Sequence, residues 1–426
     1  MGQFIYDFIP RDNIKILGQL FYEKRMEKGY SLRGLAQSAN VSASMISDLE
    51  NGKPMSNIDM LNYLFKALDL DLLIDEQTLK KTKEIIEDFY NAIYYKSIEQ
   101  IEKTYDQIKN NMQTLKLSLL FVEVTLVEET YLSAYQKEKV SDALSEHELW
   151  YPNLSKMQKQ RYNLIRGINE YQSGRIDEAL YYLHRNLSLN MNEKTHGITL
   201  SYLAEVLGRS YKMHSAIELG KIATSIHTKA NNIPRKIHTD LMLIKNYIEI
   251  GSFKNAEEIL NNMKYVHQYN GDDQEVFDRL NTLEAYLLFR KEEFEASLLY
   301  LTKVKTQSPQ VFYNLGNVYY HLGNKEKATY FLKKNIKAEV YEESLVYYSA
   351  SYLFLYYIGE TVEKNYVEQS IEYLLRNKQQ LQHFHFLTFI QKMIGKYFYK
   401  NEQLKDLYEL FNEFLDFVIR KDEIDT

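Results

Sequence analysis

The chain is 426 residues long, 45% hydrophobic and 26% charged, with a formal net charge of −6. That balance supports a sizeable core and excludes both a basic coat for nucleic acid along the whole chain and an acidic disordered tail. The absence of cysteine excludes a disulfide scaffold, a cysteine nucleophile and thiolate-bound zinc or iron–sulfur.

Only 5 prolines and 16 glycines interrupt the chain, so helices are expected nearly throughout. No apolar run reaches the ~18 residues of a membrane span. The opening MGQFIYDFIP has neither the basic start nor the long apolar stretch of a signal peptide. A cytoplasmic location, with no membrane partner, is the expectation.

Residues 14 to 68 read as four or five short helices with tight corners. Ile14, Leu17, Leu20 and Phe21 recur at helical spacing up to Gly29, which can end the helix. Ser31 caps a second helix carrying Leu32, Leu35 and Ala36. The corner follows at Asn40-Val41. Ser42 caps a third helix, ASMISDLEN, closed by Gly52. Ser56 or Asn57 starts a fourth, with Ile58, Leu61, Leu64 and Leu68.

Two helices of about eight residues joined by a short turn make a helix-turn-helix. The string SLRGLAQSANVSASMISDLENGK closely resembles the Cro/repressor-type DNA-binding domain, with Leu35, Ala36, Val41, Ile46 and Leu49 at its core positions. The resemblance implies operator DNA as a partner. It places Ser42, Ala43, Ser44, Ser47 and Asp48 towards base edges and Arg33, Asn51 and Lys53 towards phosphates. It also implies a structural ion pair between Arg25 and Glu50. Two positions depart from the pattern. Leu32 stands where many members carry a phosphate-contacting Gln, and Asp48 where Gln, Arg or Lys is usual. A carboxylate can accept from cytosine N4 but repels phosphate. Residues 1 to 72 carry eight Lys/Arg against nine Asp/Glu, so one copy should hold DNA weakly and a dimer with two recognition helices is expected.

Beyond Asp71 the pattern changes to long amphipathic helices in pairs. Pro309 to Glu342 matches the tetratricopeptide (TPR) pattern, with Gly316 and Ala328 at the helix crossing and Gly323 at the turn. Gly167, Gly174 and Ala179 repeat those offsets, and Ala204 and Ala216 keep the crossing pair. The crossing alanines are assigned to 179, 216, 256, 296 and 328, spaced 32 to 40 residues apart. Two degenerate pairs are expected at about 341–378 and 384–419. Residues 80 to 150 read as helical without a clean repeat.

The expected fold is thus all-α: a helix-turn-helix domain at 12–70, a linker at 71–79, and a TPR-like right-handed superhelical solenoid at 80–426. Such a solenoid has a concave face lined by the first helix of each pair. Ser201, Glu205, Arg209, His238, Lys245, Asn281, Tyr313 and Asn317 are expected on it, with Asn pairing to a peptide backbone and Lys245 or Arg209 holding a carboxylate.

No P-loop, Rossmann glycine string or zinc-binding HExxH occurs, and His383 and His385 lie two apart, pointing to different helix sides. No cofactor, metal or enzymatic activity is therefore expected.

A repressor-type helix-turn-helix joined to a long TPR array resembles the peptide-pheromone-sensing regulators of the RRNPP group. That resemblance implies a cytoplasmic homodimer that binds operator DNA and is controlled by a short signalling peptide in the TPR groove, as in quorum sensing. Two alternatives stay open. One is a peptide-regulated phosphatase or inhibitor of a phosphorelay response regulator, with Gln100, Gln107 or Gln113 as candidates to orient a water. The other is a constitutive repressor dimerised by its TPRs.

Overall fold

A computed structural model describes residues 11–53, 58–70, 76–116, 118, 120–135, 147–189, 193–270, 274–337, 345–377 and 384–412. The described residues are helical, without strands. Backbone contacts divide the chain into two compact units, Met1–Thr199 and Leu200–Thr426.

The first unit opens with α1 (Arg11–Glu27), α2 (Leu32–Ser38), α3 (Ala43–Glu50) and α4 (Ile58–Lys66). Local chemistry sets their ends. The Ser31 and Ser42 hydroxyls accept from the amides of Gly34 and Met45 at 2.9 and 3.1 Å, capping α2 and α3. Asn40 takes a left-handed φ of 49°, and the Val41 amide reaches back to Ala36 O at 2.9 Å, so the chain leaves α2 in a Schellman turn. Leu35, Ile46 and Leu49 are fully buried, whereas Val41 is only partly so. The expected start of α4 at Ser56 or Asn57 falls outside the described residues.

Next come α5 (Glu76–Tyr95), α6 (Ile98–Lys109), α7 (Met112–Lys116) and α8 (Phe121–Thr130), then a π turn, Tyr131–Tyr135. Helix α5 begins inside the stretch expected to be linker: Leu79 packs on the cluster of Phe89, Ile101 and Tyr105, and that contact carries the helix back to Glu76. A 3-10 segment, His147–Asn153, precedes the first repeat pair, α9 (Lys156–Gln172) and α10 (Ile176–Leu187).

The helix-turn-helix is not a bead on a string. One core runs from Leu17, Phe21, Leu49 and Phe65 through Phe121 and Leu126 of α8 to Tyr151, Tyr162 and Tyr182, and α1 lies against the 3-10 segment. Polar bonds pin that segment: Glu148 accepts from Tyr162 Oη and Arg185 Nη1, both at 2.7 Å, and the Arg185 guanidinium lies 3.3 Å over the Tyr151 ring.

From α11 (Glu193–Arg209) onward the helices pair as α12 (Met213–Lys229), α13 (Ile233–Glu249) with α14 (Phe253–Asn270), α15 (Gln274–Arg290) with α16 (Phe294–Leu301), α17 (Pro309–His321) with α18 (Lys325–Ile336), α19 (Leu345–Tyr357) with α20 (Lys364–Arg376), and α21 (Phe384–Lys400) with a helix at 404–412. A Cβ added at Gly316 would sit 2.9 Å from Leu332 Cγ, and one at Gly167 would sit 2.8 Å from Leu183 Cγ. The two glycines thus do the same work, admitting a leucine of the partner helix.

The crossing partner stands twelve residues on: Ala179, Ala216, Ala256 and Ala328 are fully buried. The assignment of Ala296 needs correcting. Ser297 occupies that place, fully buried, its hydroxyl donating to Ala285 O at 2.7 Å, and Ala296 is turned one residue away from the crossing.

Candidate functional site

Two surfaces carry the expected chemistry, one in each unit. On α3, Ile46 and Leu49 point into the core, which turns Ser44, Ser47 and Asp48 outward on one face, with Asn51 following at the same spacing. Ser44 is exposed and Ala43 half-buried beside it. Asn51 Nδ2 donates to Ser47 O at 2.6 Å, so the amide closes the helix end. Lys53 Nζ meets Asp48 Oδ1 at 2.7 Å, and Arg33 stands exposed on α2.

The position of α3 is fixed from behind. Arg25 binds Glu50 through Nε at 2.5 Å and Nη2 at 3.0 Å, and its Nη1 donates to Tyr30 O at 2.6 Å. The two side chains are only 5% and 9% exposed. The hydrogen bonds to Glu50 outweigh burial and hold the guanidinium above its ordinary range. Sequence reasoning missed Gly18. A Cβ there would lie 2.0 Å from Leu49 O, so α1 touches the backbone of α3 directly. A lone glycine inside a helical pattern was the available signal.

In the second unit the first helices of neighbouring pairs touch, as α13 does α15. Counting from Ala204, Ile244, Ala285 and Gly316, the next residue is Glu205, Lys245, Tyr286 and Asn317; four further on stand Arg209, Glu249, Arg290 and His321. A common register gives these side chains a common stripe. Their interactions agree. Tyr286 Oη donates to Glu249 Oε1 at 2.7 Å, Arg290 Nη1 donates to Ile248 O at 3.0 Å, and His238 Nε2 lies 3.8 Å from Glu205 Oε2.

Lys245 makes no ion pair among the described residues. Burial pushes its ammonium down to about 8; Glu249 and Glu205 work against that, and the Arg209 and Arg279 cations reinforce it. A cation held this way gains from an incoming carboxylate.

Of the residues expected to line a groove, Glu205, Arg209, Lys245 and Asn317 share the stripe and His238 adjoins it. Ser201 and Tyr313 are corrected by the packing. Both stand three residues before the crossing residue and face inward. Ser201 Oγ is 3.0 Å from His227 Nε2 and from Thr239 Oγ1, and Tyr313 is 0% exposed beneath Tyr347 and Phe354. Asn281 is also buried, its amide donating to Phe277 O at 2.8 Å. Tyr286 and Arg290 were missed, though the same offset from the crossing residue points to them; Glu249, at that offset too, is buried beneath the stripe and holds Tyr286 in place.

No group of three or more His, Asp or Glu among the described residues could hold a metal ion, and no described helix is long and apolar enough to cross a membrane. His383 lies outside the described residues, as does the His385 side chain.

Residues 21–74 match the helix-turn-helix family. No curated protein matches the chain in sequence. Among solved structures, the fold is similar to a Rap protein complexed with competence and sporulation factor (TM-score 0.67, 15% identity, 81% of this chain and 99% of that one). It is similar to the apo quorum sensor NprR from B. thuringiensis (0.62, 15%, 80% and 99%) and to NprR in complex with its cognate peptide NprX (0.60, 16%, 78% and 99%). The two parts that carried the resemblance in the sequence, a helix-turn-helix and a TPR-like array behind it, are both present.

Proposed function

We propose that this chain is a transcriptional regulator that binds a two-fold-symmetric operator through α3 and is controlled by a short peptide on the stripe of first helices in the second unit. The observation that carries the reading is the pairing of an open recognition face with a fold like that of NprR and Rap. Ser44, Ser47, Asp48, Asn51 and Lys53 are solvent-accessible while Arg25, Glu50 and Gly18 brace the helix behind them. On the other surface, Lys245 and Arg209 offer positive charge to a carboxylate, and Asn317 an amide to a peptide backbone. An extended peptide of roughly five to ten residues exposes amides about every 3.3 Å, which suits side chains on successive helices.

The Rap likeness supports a second reading, engagement of a phosphorelay response regulator by the α5–α8 region. Gln100, Gln107 and Gln113 are exposed on α6 and α7, where such a partner could reach them. One experiment separates the readings. DNA retained by the purified chain is selected from a random library, then titrated with synthetic peptides encoded beside the gene. A palindromic site whose affinity changes roughly 5- to 150-fold with one peptide is the expected result. A site with no peptide response favours the constitutive repressor. Loss of phosphate from a phosphorylated response regulator, with no DNA retained, favours the second reading.

A further inference from the structure

The recognition face contains one side chain with a selective vocabulary. Ser44 and Ser47 are short hydroxyls that both donate and accept, so they suit any base pair. Ala43 offers only a methyl group, and the Asn51 amide is engaged with Ser47 O. Asp48 is different, since a carboxylate only accepts. In the major groove the donors are cytosine N4 and adenine N6, and adenine places an acceptor, N7, beside its donor. A carboxylate is therefore suited to cytosine.

Its drawback is repulsion by phosphate, and here the chain supplies a counter-ion by its own folding. Gly52 takes a left-handed φ of 69° and turns the chain back, so that the Lys53 amide bonds Asp48 O at 2.9 Å and Lys53 Nζ reaches Asp48 Oδ1 at 2.7 Å. The pair is tethered by the helix terminus yet wet, with the two side chains 66% and 44% exposed. Little holds such an exposed pair closed, so the lysine can change partner.

We propose that Asp48 selects a cytosine in each half-site, and that Lys53 neutralises it off DNA and exchanges it for a backbone phosphate on binding. This rests on the reading of α3 as a recognition helix.

The test is sequence selection with the full chain, its Asp48→Asn variant and its Lys53→Gln variant, at two salt concentrations. The expected wild-type consensus holds one C·G pair at a fixed place in each half-site. Asp48→Asn should turn that position towards adenine, which an amide binds at N6 and N7, and weaken the original site roughly tenfold. Lys53→Gln should keep the consensus, weaken all sequences alike and lower the salt slope by about one. An Asp48→Asn consensus identical to wild type would overturn the cytosine assignment. An unchanged salt slope in Lys53→Gln would overturn the exchange. Both results leave the regulator reading standing, whereas wild-type protein that retains no DNA at all removes that reading and this one together.

Discussion

At the scale of single residues, burial decides which charged groups matter. The Lys53–Asp48 pair is exposed and contributes within about 1 kcal/mol of nothing. Arg25–Glu50 is bidentate and shielded, so removing one partner strands the other. Arg25→Ala should cost about 2–4 kcal/mol in the helix-turn-helix. Hydrogen exchange of the α2 and α3 amides in the full chain reads this, and unchanged protection would make Arg25 dispensable to the fold. Asp278 is the corresponding anchor in the second unit. Burial works to raise its pKa, but the Thr306 hydroxyl and the amides of Lys305 and Thr306 donate to it and lower it overall. A depressed carboxylate stabilises above the unfolded aspartate value of about 3.9 and loses that contribution as pH falls through its folded value. Asp278→Asn should thus lower the melting temperature at pH 6, with a gap to wild type that closes towards pH 3. A gap independent of pH would show that the carboxylate charge is irrelevant to the 302–308 connection.

At the scale of elements, the turns inside the pairs share one solution. Gly174, Gly251, Gly323 and Gly359 take left-handed φ, and the residue after each sends its amide back to the preceding helix, as Asn324 does to Tyr319 O at 2.9 Å. Tyr211, Glu292 and Glu402 occupy the same position in their pairs without being glycine. A side chain in that conformation costs roughly 1–2 kcal/mol. Glu292 is exposed at φ 62°, so Glu292→Gly should relieve strain at no loss of packing and stabilise the α15–α16 pair by about 1 kcal/mol. Calorimetric melting of the two proteins checks this, and a lower melting temperature in the variant would show that Glu292 does something the turn geometry does not reveal.

At the scale of the whole molecule, the proposed regulation requires that a ligand on one surface alter affinity at another. A coupling of about 1–3 kcal/mol would suffice for regulation. The proposed ligand surface should declare its chemistry through pH. With the Lys245 ammonium lowered to about 8, a carboxylate bound there loses its partner as pH rises. Affinity for an acidic cognate peptide should therefore fall between about pH 7 and pH 9. Lys245→Met should weaken binding at pH 7 and flatten that dependence in calorimetric titrations. A wild-type affinity level across this range would place the acidic group elsewhere on the wall.

The sequence by itself determined what is local or periodic. Ser31 and Ser42 cap helices because a hydroxyl beside a free amide needs only its neighbours, and Gly316 and Ala328 mark a crossing because their spacing repeats along the chain. Tertiary structure decided what depends on helix rotation and on distant contacts. One residue of rotation, about 100° on a 3.6-residue helix, separates Ala296 from Ser297 at the crossing, whereas Ser201 and Tyr313 lie one turn before Glu205 and Asn317 and are lost to the stripe because His227 and Thr239, or Tyr347 and Phe354, pack over them. The contact of Gly18 with Leu49 O, and the single core joining the helix-turn-helix to Tyr151 and Tyr162, follow no periodicity in the sequence. They arise because apolar faces left over by each local element must be buried against one another, and only the packed chain settles which faces meet.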